Sequence, residues 1–137
     1  MRRRLGLLLS SGLVLGSIAG CGGSDAPIRE FADVTGKVTY QGAPLKMGTV
    51  AFQPESGPFV SGEIQSDGTY QLKGEIGPNT VTIISRDPPP ANLPTDPALR
   101  NALPPPKRHI PEIFGTRQAG LKFDVAKQKN QADFDLK

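Results

Sequence analysis

The fold is decided by residues 34–40, Val34-Thr35-Gly36-Lys37-Val38-Thr39-Tyr40, in which apolar or small residues alternate with polar ones. The valines and the tyrosine share one side of an extended chain, and the threonines and the lysine share the other. Because successive side chains of a β-strand point to opposite faces, this period of two predicts a strand with one buried face. Gly42-Ala43-Pro44 then favours a turn.

The same alternation recurs along the chain, with turn residues such as Ser66-Asp67-Gly68 between the runs. The predicted strands cover residues 33–40, 48–53, 59–65, 69–73, 80–85, 121–125 and 132–137. The predicted core consists of Val38, Val50, Phe52, Ile64, Leu72, Val81, Ile83, Leu121, Phe123 and Phe134. Residues 127–130 predict a hairpin turn between the last two strands. Seven strands with one apolar face each predict an antiparallel β-sandwich, and a partly open barrel is the alternative.

Several short motifs resemble those of a known domain. Residues 34–40, the turn at 42–45 and Asp67-Gly68-Thr69-Tyr70 resemble the start and a hairpin of the carboxypeptidase regulatory-like domain, a transthyretin-like β-sandwich. Residues 110–136 resemble the tail of small bacterial lipoproteins that carry this domain. The resemblance implies an all-β, Greek-key sandwich over residues 33–137 that acts as an accessory domain without catalysis.

The N-terminus predicts export and lipidation. Arginines at positions 2–4 precede an uncharged, mostly apolar stretch at residues 5–19, which is the length of a signal-peptide core and too short to cross a membrane. Ile18-Ala19-Gly20-Cys21 resembles the bacterial lipobox, in which the cysteine receives acyl chains and becomes the first residue. We therefore expect a signal peptide at residues 1–20, lipidation of Cys21 and a flexible tether at residues 21–32. An ordinary secretory signal with a chance cysteine, or an uncleaved anchor, is the alternative.

The charge balance bears on partners and location. The chain has 16 Lys and Arg against 13 Asp and Glu, but three of the arginines lie in the predicted signal peptide. The mature chain would then be neutral overall, which gives no support to nucleic-acid binding. The residue after Cys21 is not Asp, and under the sorting rule of such lipoproteins this predicts the outer membrane.

The sequence shows no catalytic constellation, cofactor motif or metal site. His109 is the sole histidine, and neither Ser56, Ser61 nor Ser66 lies in a nucleophile motif that would pair with it. Asp133 and Asp135 share a strand face and would suit calcium, although a solvated face explains them more simply. We predict no enzyme, no cofactor and no bound metal.

Residues 87–111, here called the Pro-rich segment, hold nine of the 14 prolines. Proline lacks the amide donor of a strand or helix and favours extended conformations, so this segment predicts a long exposed loop. It is either an extended crossover or a docking segment for an aromatic groove on a partner. Its cationic Lys107-Arg108-His109 would also suit an acidic polymer or lipid head groups.

Together these features predict a non-catalytic, lipid-anchored envelope protein whose sandwich is a structural or binding module. Its partners would be the membrane, through the acyl chains, and an envelope protein or polysaccharide. The alternative function is a carbohydrate- or protein-recognition module in adhesion or nutrient capture. Trp is absent and there are only two Tyr, which lowers the case for stacking on sugars.

Overall fold

The computed structural model describes residues 28–137. The predicted signal peptide, Cys21 and residues 21–27 of the predicted tether lie outside the described residues. The described part contains nine strands, β1 to β9, one short helix, α1, and two 3-10 helices, at Glu112–Gly115 and Arg117–Ala119. The strands are β1 Phe31–Tyr40, β2 Ala43–Pro44, β3 Gly48–Pro54, β4 Val60–Ile64, β5 Thr69–Glu75, β6 Gly77–Ile84, β7 Lys122–Val125, β8 Asn130–Gln131 and β9 Phe134–Leu136, and α1 is Pro97–Asn101.

The strands form two sheets, so the all-β sandwich is confirmed. In the first sheet β1 pairs antiparallel with β5 and β2, and parallel with β8 and β9. The second sheet has the antiparallel order β4-β3-β6-β7. The apolar face of each sheet is buried against the other, as the period of two in the sequence requires.

The C-terminal part corrects two predictions. Residues 127–130 do not form a hairpin turn, because β7 belongs to the second sheet whereas β8 and β9 belong to the first. The sandwich is also not wholly antiparallel, since β9 runs parallel to β1 with Val38 opposite Phe134 and Tyr40 opposite Leu136. Only a hairpin requires antiparallel pairing, and because the chain crosses between sheets after β7, the final strands are free to pair in parallel with β1.

Two short strands raise the number from seven to nine. Ala43–Pro44 pairs with the end of β1, and Asn130–Gln131 pairs with its middle. Two boundaries also differ from the sequence-based ones. β1 begins at Phe31, two residues before the predicted domain start, because Ala32 is buried in the core. β6 begins at Gly77, three residues before the strand predicted at residues 80–85.

The core is aliphatic around one aromatic centre. Seven of the ten residues predicted to be buried have at most 6% exposure: Val38, Val50, Phe52, Ile64, Leu72, Val81 and Ile83. The other three, Leu121, Phe123 and Phe134, are only partly buried against this core. Phe123 lies on β7 and Phe134 on β9, each an outer strand with a neighbour on one side only. Both rings make edge contacts with Phe52, at centroid distances of 6.0 and 6.4 Å.

The sandwich has two distinct ends. The N-terminal end carries the start of β1, the β3–β4 loop and the turn at Ile76, whose amide donates to the carbonyl of Glu30. The distal end carries the β1–β2 turn, the β4–β5 turn and the last residues of β6. β6 spans eight residues between these ends, which corresponds to about 26 Å at ~3.3 Å per residue.

Candidate functional site

The Pro-rich segment leaves and rejoins the sandwich through a narrow base, here called the neck and formed by residues 85–87 and 107–109. The amide of His109 donates to the carbonyl of Ser85 at 2.9 Å, and the amide of Asp87 donates to the carbonyl of Lys107 at 2.8 Å. Arg86 and Arg108 form an antiparallel bridge between these bonds. The neck therefore holds the two ends of the segment together at the distal end of the sandwich.

The side chain of His109 helps to hold the neck together. Its Nε2 lies 2.7 Å from Oδ1 of Asp87, so the side chains add a second link across the same pair of strands. Of the serines weighed as its partners, Ser61 lies on β4, Ser66 in the β4–β5 turn and Ser56 in the β3–β4 loop at the opposite end. The structure thus gives His109 a structural partner in Asp87.

Beyond the neck, the Pro-rich segment forms an exposed lobe. Asp96 caps α1 by accepting a hydrogen bond from the amide of Ala98 at 2.8 Å, and the guanidinium of Arg100 donates to the carbonyl of Pro94. Helix α1 buries no residue. Leu93, Leu99 and Leu103 are 47%, 59% and 37% exposed, so the apolar side chains of the lobe face solvent instead of a core.

A groove runs along this lobe. Its walls are the two proline triplets, residues 88–90 and 104–106, with Leu93 and Leu103 between them. Three cations, Arg86, Arg100 and Lys107, also line it, together with one carboxylate, Asp87, which is paired with His109. A largely apolar groove bordered by cations suits a ligand with an apolar part and a negative charge.

The C-terminal end of the Pro-rich segment is the part that joins the core. Ile110 is 5% exposed, and the 3-10 helix that follows packs on β6. Arg108 forms an ion pair with Glu112 one turn later, and this pair lowers the pKa of Glu112 and raises that of Arg108. Both side chains are exposed, so the pair contributes little to stability.

Asp133 and Asp135, the candidate calcium ligands, are used within the first sheet. Oδ1 of Asp133 accepts the amide of Lys37 at 2.8 Å, and its Oδ2 accepts from Gln131 at 2.9 Å. Oδ1 of Asp135 accepts from the hydroxyl of Thr39 at 2.9 Å. Both carboxylates thus tie the C-terminal strands to β1.

The motif Asp67-Gly68-Thr69-Tyr70 has a structural explanation. Oδ1 of Asp67 accepts from both the amide and the hydroxyl of Thr69, at 3.0 and 2.7 Å, and these bonds hold the pKa of Asp67 below its usual range. The hydroxyl of Tyr70 donates to the carbonyl of Ala132 at 2.6 Å inside the protein. Burial raises the pKa of Tyr70, and the charge of Asp133 adds to that effect. The motif marks Tyr70 in the sequence, but not its partner 62 positions away.

A second, polar groove lies over the first sheet. Hydrogen-bonding side chains line it: Thr35, Lys37, Glu63, Gln65, Thr69, Gln71, Gln131 and Asp133. The sequence analysis did not identify this groove, because its residues come from β1, β4, β5 and the C-terminal strands and share no motif. The only sequence signal for the groove was that these residues occupy outward-facing positions in strands with alternating polarity.

Two further properties of residues 28–137 concern metals and membranes. In that range no three His, Cys, Asp or Glu side chains come together in a way that would hold a metal ion. No helix of the described chain is long and apolar enough to cross a membrane.

Comparison with known proteins gives a structural similarity but no match by sequence. No protein-family model matches the sequence, and no curated protein is similar to it. Among solved structures, a DUF3823 family protein from Parabacteroides merdae ATCC 43184 is similar, with a TM-score of 0.45 and 14% sequence identity. The alignment covers 77% of this chain and 45% of that one, so this chain spans less than half of that protein's length.

Proposed function

We propose that this chain is a non-catalytic, lipid-anchored envelope protein whose β-sandwich carries a binding lobe, the Pro-rich segment. The observation that supports a binding role is the exposed lobe on its neck. The lobe is closed by backbone hydrogen bonds at the neck and keeps three leucines in solvent. It therefore adds little to the hydrophobic core of the sandwich. Exposed apolar side chains grouped beside cations are typical of interaction sites.

The anchor in this proposal rests on the sequence. The arginines at positions 2–4, the apolar stretch and Ile18-Ala19-Gly20-Cys21 support lipidation of Cys21, and the residue at position 22 favours the outer membrane. Several acyl chains on one residue would give stable anchoring, since one chain alone gives only marginal binding.

We also propose that the sandwich belongs to the carboxypeptidase regulatory-like class. Its motif positions are supported by the contacts that they make. A side chain at Gly36 would collide with the carbonyl oxygen of Ala132, and the hydroxyl of Tyr70 donates to the same oxygen. Leu45, in the turn after β1, is buried and donates its amide to the carbonyl of Val38. These are packing and turn roles, which suit an accessory module.

The test replaces the lobe and compares partners. We would replace residues 88–106 with Gly-Ser-Gly-Ser, which leaves the backbone bonds of the neck in place, and prepare Leu93→Ser/Leu99→Ser/Leu103→Ser as a second variant that keeps every proline. Cross-linking in the native envelope should recover a specific partner with the parent and lose it with both variants, at an unchanged thermal midpoint. The matched control, Lys122→Ser on β7, should keep the partner. Retention by all variants would contradict a binding lobe.

A second candidate function is carbohydrate recognition at the polar groove. Amide, hydroxyl and carboxylate side chains are the groups that bind sugar hydroxyls, and this groove contains three glutamines, Gln65, Gln71 and Gln131. Its one aromatic lining residue, Tyr70, is buried at 3% exposure and offers no stacking face. Titration with purified envelope polysaccharide tests this function. It is supported if Gln71→Ala weakens binding while replacement of the lobe does not.

A further inference from the structure

We propose that the N-terminal end of the sandwich rests on the bilayer that holds the acyl chains, with Phe31 and Phe59 in the membrane interface, and that the Pro-rich segment points away from it. This inference rests on the proposed lipid anchor. It adds a second membrane contact, made by the folded domain itself, and gives the molecule an orientation.

Both phenylalanines are exposed at the same end of the molecule. Phe31 is 47% exposed at the first position of β1, and Phe59, next to the start of β4, is 62% exposed. Arg29 joins the two regions, because its Nη1 donates to the carbonyl of Ser56 at 2.9 Å and contacts Glu75 at 3.1 Å. Glu75 pairs with Phe31 across β1 and β5. The hydrogen bonds of Arg29 and the pairing of β1 with β5 therefore hold together the end that carries both rings.

The covalent chain keeps this end near the anchor. Seven steps of backbone separate Cys21 from residue 28. At no more than ~3.6 Å per residue these steps reach about 25 Å. The distal end lies about 26 Å farther along the strands. A lipid on Cys21 therefore keeps the N-terminal end, with its phenylalanines, within about 25 Å of the anchor, whereas the neck of the lobe lies at the other end of the sandwich.

The charges of this end are nearly balanced. Arg29 pairs with Glu75, and Lys127 pairs with Glu30 at 2.8 Å. Glu55 in the β3–β4 loop and Lys129 in the β7–β8 loop add one charge of each sign, as do Asp33 and Lys73, whereas Asp124 on β7 adds one negative charge. An end without excess positive charge and with exposed aromatic rings does not depend on negative headgroups, so the contact should not require anionic lipids.

The experiment uses the lipidated chain in vesicles of phosphatidylcholine. Cys21 is the sole native cysteine and its sulfur would carry lipid, so an introduced cysteine is the one free thiol. Ser56→Cys labels the N-terminal end without removing either phenylalanine, and Ala102→Cys labels the lobe. With a fluorophore on each thiol and quenchers on the lipid acyl chains, we expect at least threefold stronger quenching at position 56 than at position 102.

Variants decide whether the phenylalanines cause the contact. Phe31→Ser/Phe59→Ser in the Ser56→Cys background should reduce the quenching to that of the lobe, while Leu93→Ser/Leu99→Ser should leave it unchanged. A far-UV spectrum checks that each variant is folded. Equal quenching at both labels, stronger quenching at the lobe, or no effect of the phenylalanine variant would overturn the orientation. Protein that is not acylated, or that does not float with vesicles, would instead refute the anchor and the orientation with it.

Discussion

The Pro-rich segment and the C-terminal residues 126–136 both connect to strands of the second sheet, and they differ in where their polar groups go. The Nδ2 of Asn130 lies within hydrogen-bonding distance of three carbonyl oxygens, those of Asp33, Ala126 and Gln128, and its Oδ1 accepts the amide of Ala126. The C-terminal residues thus bond across to the sandwich. The lobe of the Pro-rich segment, residues 88–106, forms hydrogen bonds only within itself in the described structure. The difference indicates that the C-terminal residues are part of the sandwich, whereas the Pro-rich segment projects from it.

The largest effect should come from the centre that the C-terminal strands cover. Phe52 is fully buried and contacts Phe134 of β9 and Phe123 of β7. Phe52→Ala should lower the free energy of unfolding by about 3–5 kcal/mol, through lost burial and the cavity left behind. Urea denaturation measures it. A loss below about 1 kcal/mol would contradict a single core centred on this ring.

A smaller effect should follow from one hydrogen bond to the C-terminal residues. Tyr70→Phe leaves the carbonyl of Ala132 without its buried donor, which should cost about 1–3 kcal/mol. The matched control is Tyr40→Phe, because among the described residues the hydroxyl of Tyr40 forms a hydrogen bond only with the exposed side chain of Gln41. Equal losses of unfolding free energy in the two variants would contradict a stabilising role for the hydrogen bond between Tyr70 and Ala132.

Replacement of residues 88–106 should change stability less than either substitution. The neck keeps the ends of the segment together, and the entropy of loop closure varies by only ~0.6 kcal/mol for each doubling of length. Shortening 19 residues to four should by this term stabilise the fold by about 1.4 kcal/mol at most, so we expect no loss of stability by urea denaturation. Ile110→Ala should be costlier, because that side chain is buried. If the replacement were the more harmful change, the segment would belong to the fold.

The smallest effect concerns pH. Hydrogen bonds from Thr69 lower the pKa of Asp67 in the folded protein, so its ionised form stabilises the turn above the unfolded pKa of about 4. That stabilisation is lost as the pH falls through the lower, folded pKa. Thermal midpoints of Asp67→Asn and the parent should therefore converge as the pH falls below about 4. Curves that stay parallel down to pH 2 would contradict this role.

The sequence predicted the strands well and their arrangement less well. Alternation located β1, β3, β4 and β5 because each has one buried face. It did not distinguish a hairpin at residues 127–130 from a crossing between sheets, since both need only a short polar connection. Nor did it identify outer strands, where Phe123 and Phe134 lack a neighbour on one side and stay partly exposed.

The candidate surfaces were predictable to different degrees. Proline content alone marked the Pro-rich segment as exposed, which is right for residues 88–106 but not for Ile110, which is buried. The neck was not predictable, because its bonds depend on the backbone of Asp87 meeting that of Lys107 across the whole lobe. The polar groove was missed for a similar reason, since its residues come from separate strands.

The parallel pairing of β9 with β1 has a consequence for how the chain folds. The amide of Lys37 finds its acceptor, Asp133, 96 positions later, so one side of the first strand stays without partners until nearly the whole domain is available. Contacts between distant parts of a chain make folding slow, and an open strand side invites pairing with other chains. Folding intermediates that lack β9 should therefore be the species most prone to aggregate, and a chaperone that covers β1 should prevent it.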